Sequence, residues 1–207
     1  MSSSSLLLAL HSSSETLGVG VLGLAPQPQL ASFPLGRQLS NDLLPCVETL
    51  LPAEQWPQLD RLVVATGPGG FTGTRLTVVL ARTLAQQLQI PLHGFSSFLL
   101  MARRRWAIDP WPEGERFWLH QPLPRRGVVA GAYARDPSAL GGIAEVVEPR
   151  LFRPGEFLPA EPSAEAEVEV EADVQQLLAL GSLATDAEMA GPWQPVLPLY
   201  PTSPVES

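Results

Sequence analysis

Apolar and polar positions follow two different rhythms along this chain. Short apolar runs bounded by Ser, Gly or Pro read as buried strands, and longer stretches with apolar residues three and four apart read as helices. Leu6 to Leu10, Thr16 to Leu24 and Leu30 to Phe33 are three successive runs of the first kind, which predicts an antiparallel meander. A helix over 42–51 follows, with Leu43, Leu44, Val47, Leu50 and Leu51 on one stripe, Asn41 or Asp42 as its cap and Pro45 in its first turn. Leu62 to Ala65 is a further short strand. It runs into the glycine-rich turn Gly67-Pro68-Gly69-Gly70-Phe71-Thr72-Gly73 and then a helix from about Thr74 to Gln89. In that helix Leu76, Val79, Leu80, Thr83, Leu84 and Leu88 recur at helical spacing. Ile90 to Gly94 is the next strand, and Ser96 or Ser97 caps a helix toward Arg105. The first hundred residues therefore read β-β-β-α-β-α-β, an α/β pattern with a mixed sheet.

The second half is less regular. Asp109 to Gly114 is a link rich in Pro, Gly and Trp. Arg116 to His120, Gly127 to Ala134 and Ile143 to Leu151 read as three strands, so each half begins with three strands. This suggests a duplicated β-β-β-α plan: residues 1–100 as one lobe, and 101–207 as a smaller, degenerate one. The segment from Glu161 to Asp173 is acidic and fits either an exposed strand or a solvated linker. Asp173 to Leu183 reads as a short helix, and the tail from Pro192 to Pro204 as extended chain.

Composition narrows the chemistry. All 13 basic residues of the 207 are Arg, so no lysine exists to serve as a phosphate-loop, kinase or Schiff-base lysine. One cysteine, Cys46, excludes an internal disulfide and a cysteine-rich zinc site, and three scattered histidines argue against a His-rich metal site. The net charge of -8 argues against the chain gripping nucleic acid by itself. The N-terminal apolar run is too short for a signal peptide or a membrane span, and the expectation is a soluble cytoplasmic protein.

Several residues carry candidate chemistry, each beside a plainer reading. A strand, a glycine-rich turn and a helix can present backbone N–H groups to an anion. The same turn can equally be a tight connection with Phe71 packed beneath it and Thr72 near the helix start. It matches neither a Walker loop nor the dinucleotide G-x-G-x-x-G fingerprint. His11, directly after the first strand, reads as a base, a ligand or, more simply, a polar turn residue. Arg103, Arg104 and Arg105 with Trp106 and Trp111 read as an RNA patch or as cations complementing a helix C-terminus. Cys46 reads as a small buried hydrophobe. If Val78, Ala81 and Ala85 face the sheet, the Leu76/Val79/Leu80/Thr83 side of the second helix remains for a partner protein.

The stretch GPGGFTGTRLTVVLARTLAQQLQIPLHGFSSFLLMA from Gly67 resembles the TsaB (YeaZ-like) family signature, near GPGSFTGLRIG followed by an I-P-x-x-G-x-S-S strand. The Gly67, Pro68, Gly69, Phe71, Thr72, Gly73 and Arg75 positions carry that match. Arg37-Gln38-Leu39-Ser40 with Leu43-Leu44-Pro45 resembles the family's R-x-H-S-x-x-L-L-P segment. Leu8-Ala9-Leu10-His11-Ser12-Ser13 is similar to its L-A-I-D-T-S opening. Arg125-Arg126-Gly127 with Ala132-Tyr133, and Pro198-Leu199-Tyr200, match more loosely.

The resemblance implies an actin/Hsp70/sugar-kinase fold. It also implies a noncatalytic, dimerising role in forming threonylcarbamoyladenosine in tRNA, with no catalytic and no metal residue in this chain. The implied partners are a TsaD-like catalytic subunit, a TsaE-like ATPase and a possible second copy. ATP would be handled by the partners, and tRNA met only through the complex. Leu43, Leu44, Val47, Leu76, Val79, Leu80 and Thr83 are the candidate partner surface. His11 stands where the family has Asp, Leu39 where it has His, and Leu123 or Pro124 where a later Asp would fall; these departures favour a scaffold. The alternative is a nucleotide-binding or hydrolytic, glycoprotease-like enzyme of the same fold.

Overall fold

The computed structural model describes residues 5–156 and 161–201. The first serines of the chain and the end of the predicted tail, 202–204, lie outside the described residues.

Five strands form the first sheet: β1 (Leu7–His11), β2 (Leu17–Leu22), β3 (Gln29–Phe33), β4 (Arg61–Ala65) and β5 (Leu92–Phe95). Their order is β3-β2-β1-β4-β5. β1, β2 and β3 form the predicted antiparallel meander, whereas β4 pairs parallel with β1 and β5 parallel with β4. All five residues of β1 and of β4 are buried, because helices cover both faces of the sheet. One set of alternate residues, with Leu8, Leu10, Leu62 and Val64, meets α1 (Leu39–Leu50) and α2 (Phe71–Leu88) through Val47, Val78 and Ala81. The other set, with Leu7, Ala9, Val63 and Ala65, meets Val174, Leu177 and Leu178 of α4 (Val170–Asp186). Period-two side chains enclosed on both sides produce continuous apolar runs, which is why these strands read clearly. α4 lies close on β2 because Gly20 has no side chain there: a Cβ on Gly20 would stand 2.5 Å from Val174 Cγ1.

The second sheet holds β6 (Arg116–Leu123), β7 (Gly127–Arg135), β8 (Ile143–Phe152) and β9 (Ser163–Glu165), in the order β8-β7-β6-β9. Three antiparallel strands are followed by one strand parallel to the first, β9 beside β6. That repeats the β3-β2-β1-β4 arrangement and lacks only a counterpart of β5. α3 (Ser97–Ile108) connects the two sheets and packs Phe98, Met101 and Ala102 against Phe117, Leu119, Val129 and Tyr133. The fold is thus α/β of the actin/Hsp70/sugar-kinase-like type, with two βββα-type lobes and a reduced second one. The division at residue 100 separates the strands of the two sheets but not their cover, because α4 and the chain near Leu199 pack on the first sheet.

Three expectations need correction. α1 begins at Leu39, not at Asn41 or Asp42, because a 3-10 turn over Gly36–Gln38 leads straight into it and Gln38 offers no side-chain cap. Pro45 therefore lies inside the helix. It is tolerated because both Pro45 and Asn41, whose carbonyl loses its i+4 donor, face solvent. The acidic segment is divided, with β9 at Ser163–Glu165 and α4 already begun at Val170.

Candidate functional site

The glycine-rich turn sits at the carboxyl ends of β1 and β4, where open α/β sheets form their crevices. The N–H of Gly70 donates to the Ser13 carbonyl at 2.7 Å, and Ser97 donates its N–H to the Gly67 carbonyl at 2.6 Å. Ser13 and Ser97 join through their hydroxyls, and the Ser12 and Thr77 hydroxyls lie 2.8 Å apart. Gly69 packs directly on the Ser13 backbone, and a Cβ on Gly73 would reach the Ser12 carbonyl at 2.7 Å. Gly67 has φ +96°, a conformation that favours glycine. The turn is thus clamped between the β1–β2 connection and the start of α3, with Gly69, the Gly70 N–H and Gly73 set against the Ser12–Ser13 backbone.

Gly67 and Pro68 are buried, whereas Phe71, Thr72 and Arg75 are exposed. Phe71 is not packed beneath the turn. It opens α2 and rests against Tyr200, with ring centroids 4.7 Å apart. Arg37 and Ser40 line a cavity of about 370 Å³ together with Gly70 and Thr72, so two separate matching segments converge in space.

His11 is not an exposed turn residue. It ends β1 with no solvent exposure, and neither ring nitrogen has a hydrogen-bond partner. Its Nε2 lies 4.0 Å from Oδ2 of the equally buried Asp173 on α4. Burial lowers the His11 pKa to about 4 and, opposed by Arg104, raises that of Asp173 to about 6. The neutral imidazole is walled in by protein. Arg104 Nε donates to Asp173 Oδ1 at 3.1 Å, and the Glu169 N–H donates to Oδ2 at 3.0 Å. Sequence reading missed this cluster, since nothing in the local pattern pairs position 11 with α4.

Of the arginines of α3, Arg105 lies in the last turn, where a cation complements the helix C-terminus, whereas Arg103 and Arg104 bind partners within the chain. Arg103 holds Gln176 and the Gly141 carbonyl, and Arg104 reaches Asp173, Glu169 and the Glu167 carbonyl. Arg105 stands 5.1 Å over Phe117. Trp111 is buried against Phe117, and Arg135 lies over Trp106. These side chains join α3 to α4 and to the second sheet, so they do not form a free basic face. Cys46 is buried, and burial first and Asp42 second raise its pKa, which keeps the thiol protonated and unreactive.

The candidate partner residues divide into two groups. Leu43 and Val47 are core residues, with 6% and 0% exposure, and are corrected out of the surface. Leu76 and Leu80 are partly buried against the same core. Leu44, Val79 and Thr83 remain outward, Val79 being 52% exposed. They lie on the adjoining helices α1 and α2, on the face of the first sheet opposite α4. Among the described residues, no group of three or more His, Cys, Asp or Glu could hold a metal ion, and no helix is long and apolar enough to cross a membrane.

Comparison with known proteins adds independent findings. Residues 27–110 match the family model described as TsaD: tRNA N6-adenosine threonylcarbamoyltransferase. The chain is 38% identical over 100 residues to the tRNA threonylcarbamoyladenosine biosynthesis protein TsaB of Bacillus subtilis, covering 46% of this chain and 43% of that protein. It is 28% identical over 107 residues to the TsaB protein of Escherichia coli, covering 46% of each. The matched segment thus spans less than half the length of these relatives. Two solved structures from Pseudomonas aeruginosa share the fold over nearly the whole chain. One is described as similar to peptidase YEAZ (TM-score 0.75, 21% identity, covering 96% of this chain and 100% of that one). The other is described as YeaZ (TM-score 0.72, 21% identity, 95% and 99%). The resemblance to the TsaB (YeaZ-like) family read from the motifs is borne out by these relatives.

Proposed function

We propose that this chain is a noncatalytic scaffold subunit of the machinery that forms threonylcarbamoyladenosine beside the anticodon of tRNAs. The observation that carries this reading is the state of the crevice at the ends of β1 and β4. A buried, neutral imidazole stands at position 11, where the resemblance leads one to look for a carboxylate. The glycine-rich turn spends its approach on Ser12 and Ser13 of its own chain. An imidazole held this way is no carboxylate ligand for a nucleotide-bound cation, and the Gly70 N–H is already spent on the Ser13 carbonyl.

In this reading ATP and its metal are handled by the partners, a TsaD-like catalytic subunit and a TsaE-like ATPase, and this chain binds no cofactor. The net charge of -8 suits a subunit that meets tRNA only through the complex, in the cytoplasm. The partner contact, with a TsaD-like subunit or a second copy, uses the outward side of α1 and α2 around Leu44, Val79 and Thr83.

Val79→Glu tests this. A carboxylate placed at the centre of an apolar contact costs affinity, whereas at a solvent-facing site it leaves the fold intact. Titrating the purified TsaD-like subunit with each form by calorimetry should show roughly a hundredfold loss for the variant, with an unchanged far-ultraviolet circular dichroism spectrum. Equal affinity of the two forms would remove α1 and α2 from the interface. Tight binding and turnover of magnesium ATP by the isolated chain would instead support the nucleotide-binding enzyme.

A further inference from the structure

A cavity of about 620 Å³ lies between the lobes, beside the glycine-rich turn, with Thr66 and Ser96 in its lining. The ends of β4 and β5, the start of α3, β8 and the chain from Met189 to Leu199 enclose it. Its apolar wall includes Leu92, Met189, Val196 and Leu197, and its polar groups include Ser96, Glu145 and Glu148. No lysine or arginine lines it. His93, which does, is held near pKa 4 by burial and by the adjacent Arg61, so it is neutral near pH 7.

The two carboxylates share this cavity because of an irregularity in β8. Tyr133 pairs with Glu145, Ala132 with Val147 and Ala130 with Arg150, so β8 gains one extra residue at each of these two steps. On a regular strand, residues three apart point to opposite faces. The irregular register breaks that alternation, and Glu145 and Glu148 both line the cavity. Glu145 is fixed through Oε2, which accepts from the Ser96 hydroxyl and, at 2.9 Å, from the buried Tyr133 hydroxyl. Burial pushes the Glu145 carboxyl up, the Ser96 and Tyr133 hydrogen bonds oppose this, and the Glu148 charge adds to the rise. Two like charges at one cavity, with no cation in its lining, make an arrangement that a bound positive group relieves and a phosphate aggravates. Concave sites with apolar walls and a few converging polar groups are the usual form of small-molecule sites.

We propose that this interlobe cavity binds a small organic cation, an ammonium or guanidinium on a short alkyl stem, whose charged head lies between Glu145 and Glu148 and whose stem lies along Leu92 and Val196. The inference is independent of the assembly role, since it concerns a different face of the molecule.

Agmatine and putrescine are suitable probes for the full chain, with 1,4-butanediol as the uncharged control. Calorimetry together with amide chemical shifts should show binding of the two cations at roughly 0.1–1 mM. The shifts should centre on Gly94, Ser96 and residues 189–197, and butanediol should produce none. Glu148→Gln changes an exposed side chain, so it keeps the fold, and should weaken the cations about fivefold. Glu145→Gln can still meet Ser96 and Tyr133 and should weaken them further. Three outcomes overturn the proposal: no cation binding at about 10 mM, butanediol binding as well as the cations, or unchanged affinity in Glu148→Gln.

Discussion

At position 11 an imidazole with no bonded partner faces a carboxyl with no exposure, and their titrations oppose one another. His11 has a folded pKa near 4, below its ordinary 6.5, so burial makes it bind a proton less readily than the unfolded chain does. Its contribution to stability is present above pH 6.5 and is lost as pH falls toward 4. Asp173 has a folded pKa near 6, above its ordinary 3.8, so its contribution is present below pH 3.8 and is lost as pH rises through 6. Between pH 4 and 6 the unfolded pair carries its proton on His11 and the folded pair on Asp173. The two states bind equally many protons, and the pair adds no slope there. Asp173→Asn removes the compensation. Relative to the parent, the variant should lose about 1.4 kcal/mol of stability per pH unit as pH falls from 6 to 4, measured by urea unfolding at each pH. A difference independent of pH would mean that the fold does not hold Asp173 protonated in this range.

Among the elements, α3 joins the two sheets, and its arginines bind their surroundings from both sides. Arg104→Ala leaves Asp173 buried with one backbone donor and removes the tie to Glu169 and Glu167. The expected cost is about 2–3 kcal/mol in the denaturation midpoint analysis, against a few tenths for Arg75→Ala on the exposed start of α2. Equal costs would place the α3–α4 join elsewhere. Periodicity made the strands and the existence of α1 and α2 legible, because continuous apolar runs and three-four spacing follow directly from enclosure by the layers. It could not make the start of α1 legible, since a 3-10 turn continues into a helix without a cap residue to mark it. Nor could it decide the use of Arg103 to Arg105: three consecutive cations look alike whether they face water or partners brought from α4 and the second sheet. Leu43 and Leu44 show the same limit, adjacent in sequence but one in the core and one outside it.

Taken as a whole, the molecule repeats one plan twice, β3-β2-β1-β4 and β8-β7-β6-β9, with the second copy shortened. Element order alone predicted the repeat, because three strands opened each half. The pairing of α4 with the first sheet was not predictable, as an acidic approach and an ordinary apolar stripe carry no record of which sheet they cover. The same holds for the cavity beside Glu145, which depends on an irregular register in β8. The candidate crevice was legible as a motif, but its internal bonding was not: GPGGFTG reads alike whether the Gly70 N–H is open to an anion or spent on Ser13.

In the proposed scaffold role, this chain supports threonylcarbamoyladenosine formation without performing chemistry itself. The most direct measurement is nucleoside analysis of unmodified tRNA incubated with the TsaD-like and TsaE-like proteins, the threonylcarbamoyl donor and ATP, with and without this chain. In the scaffold role, modification requires the chain and falls sharply with Val79→Glu, and the chain without its partners modifies no tRNA and hydrolyses no ATP. Full modification in its absence, or ATP hydrolysis by the chain on its own, would contradict it.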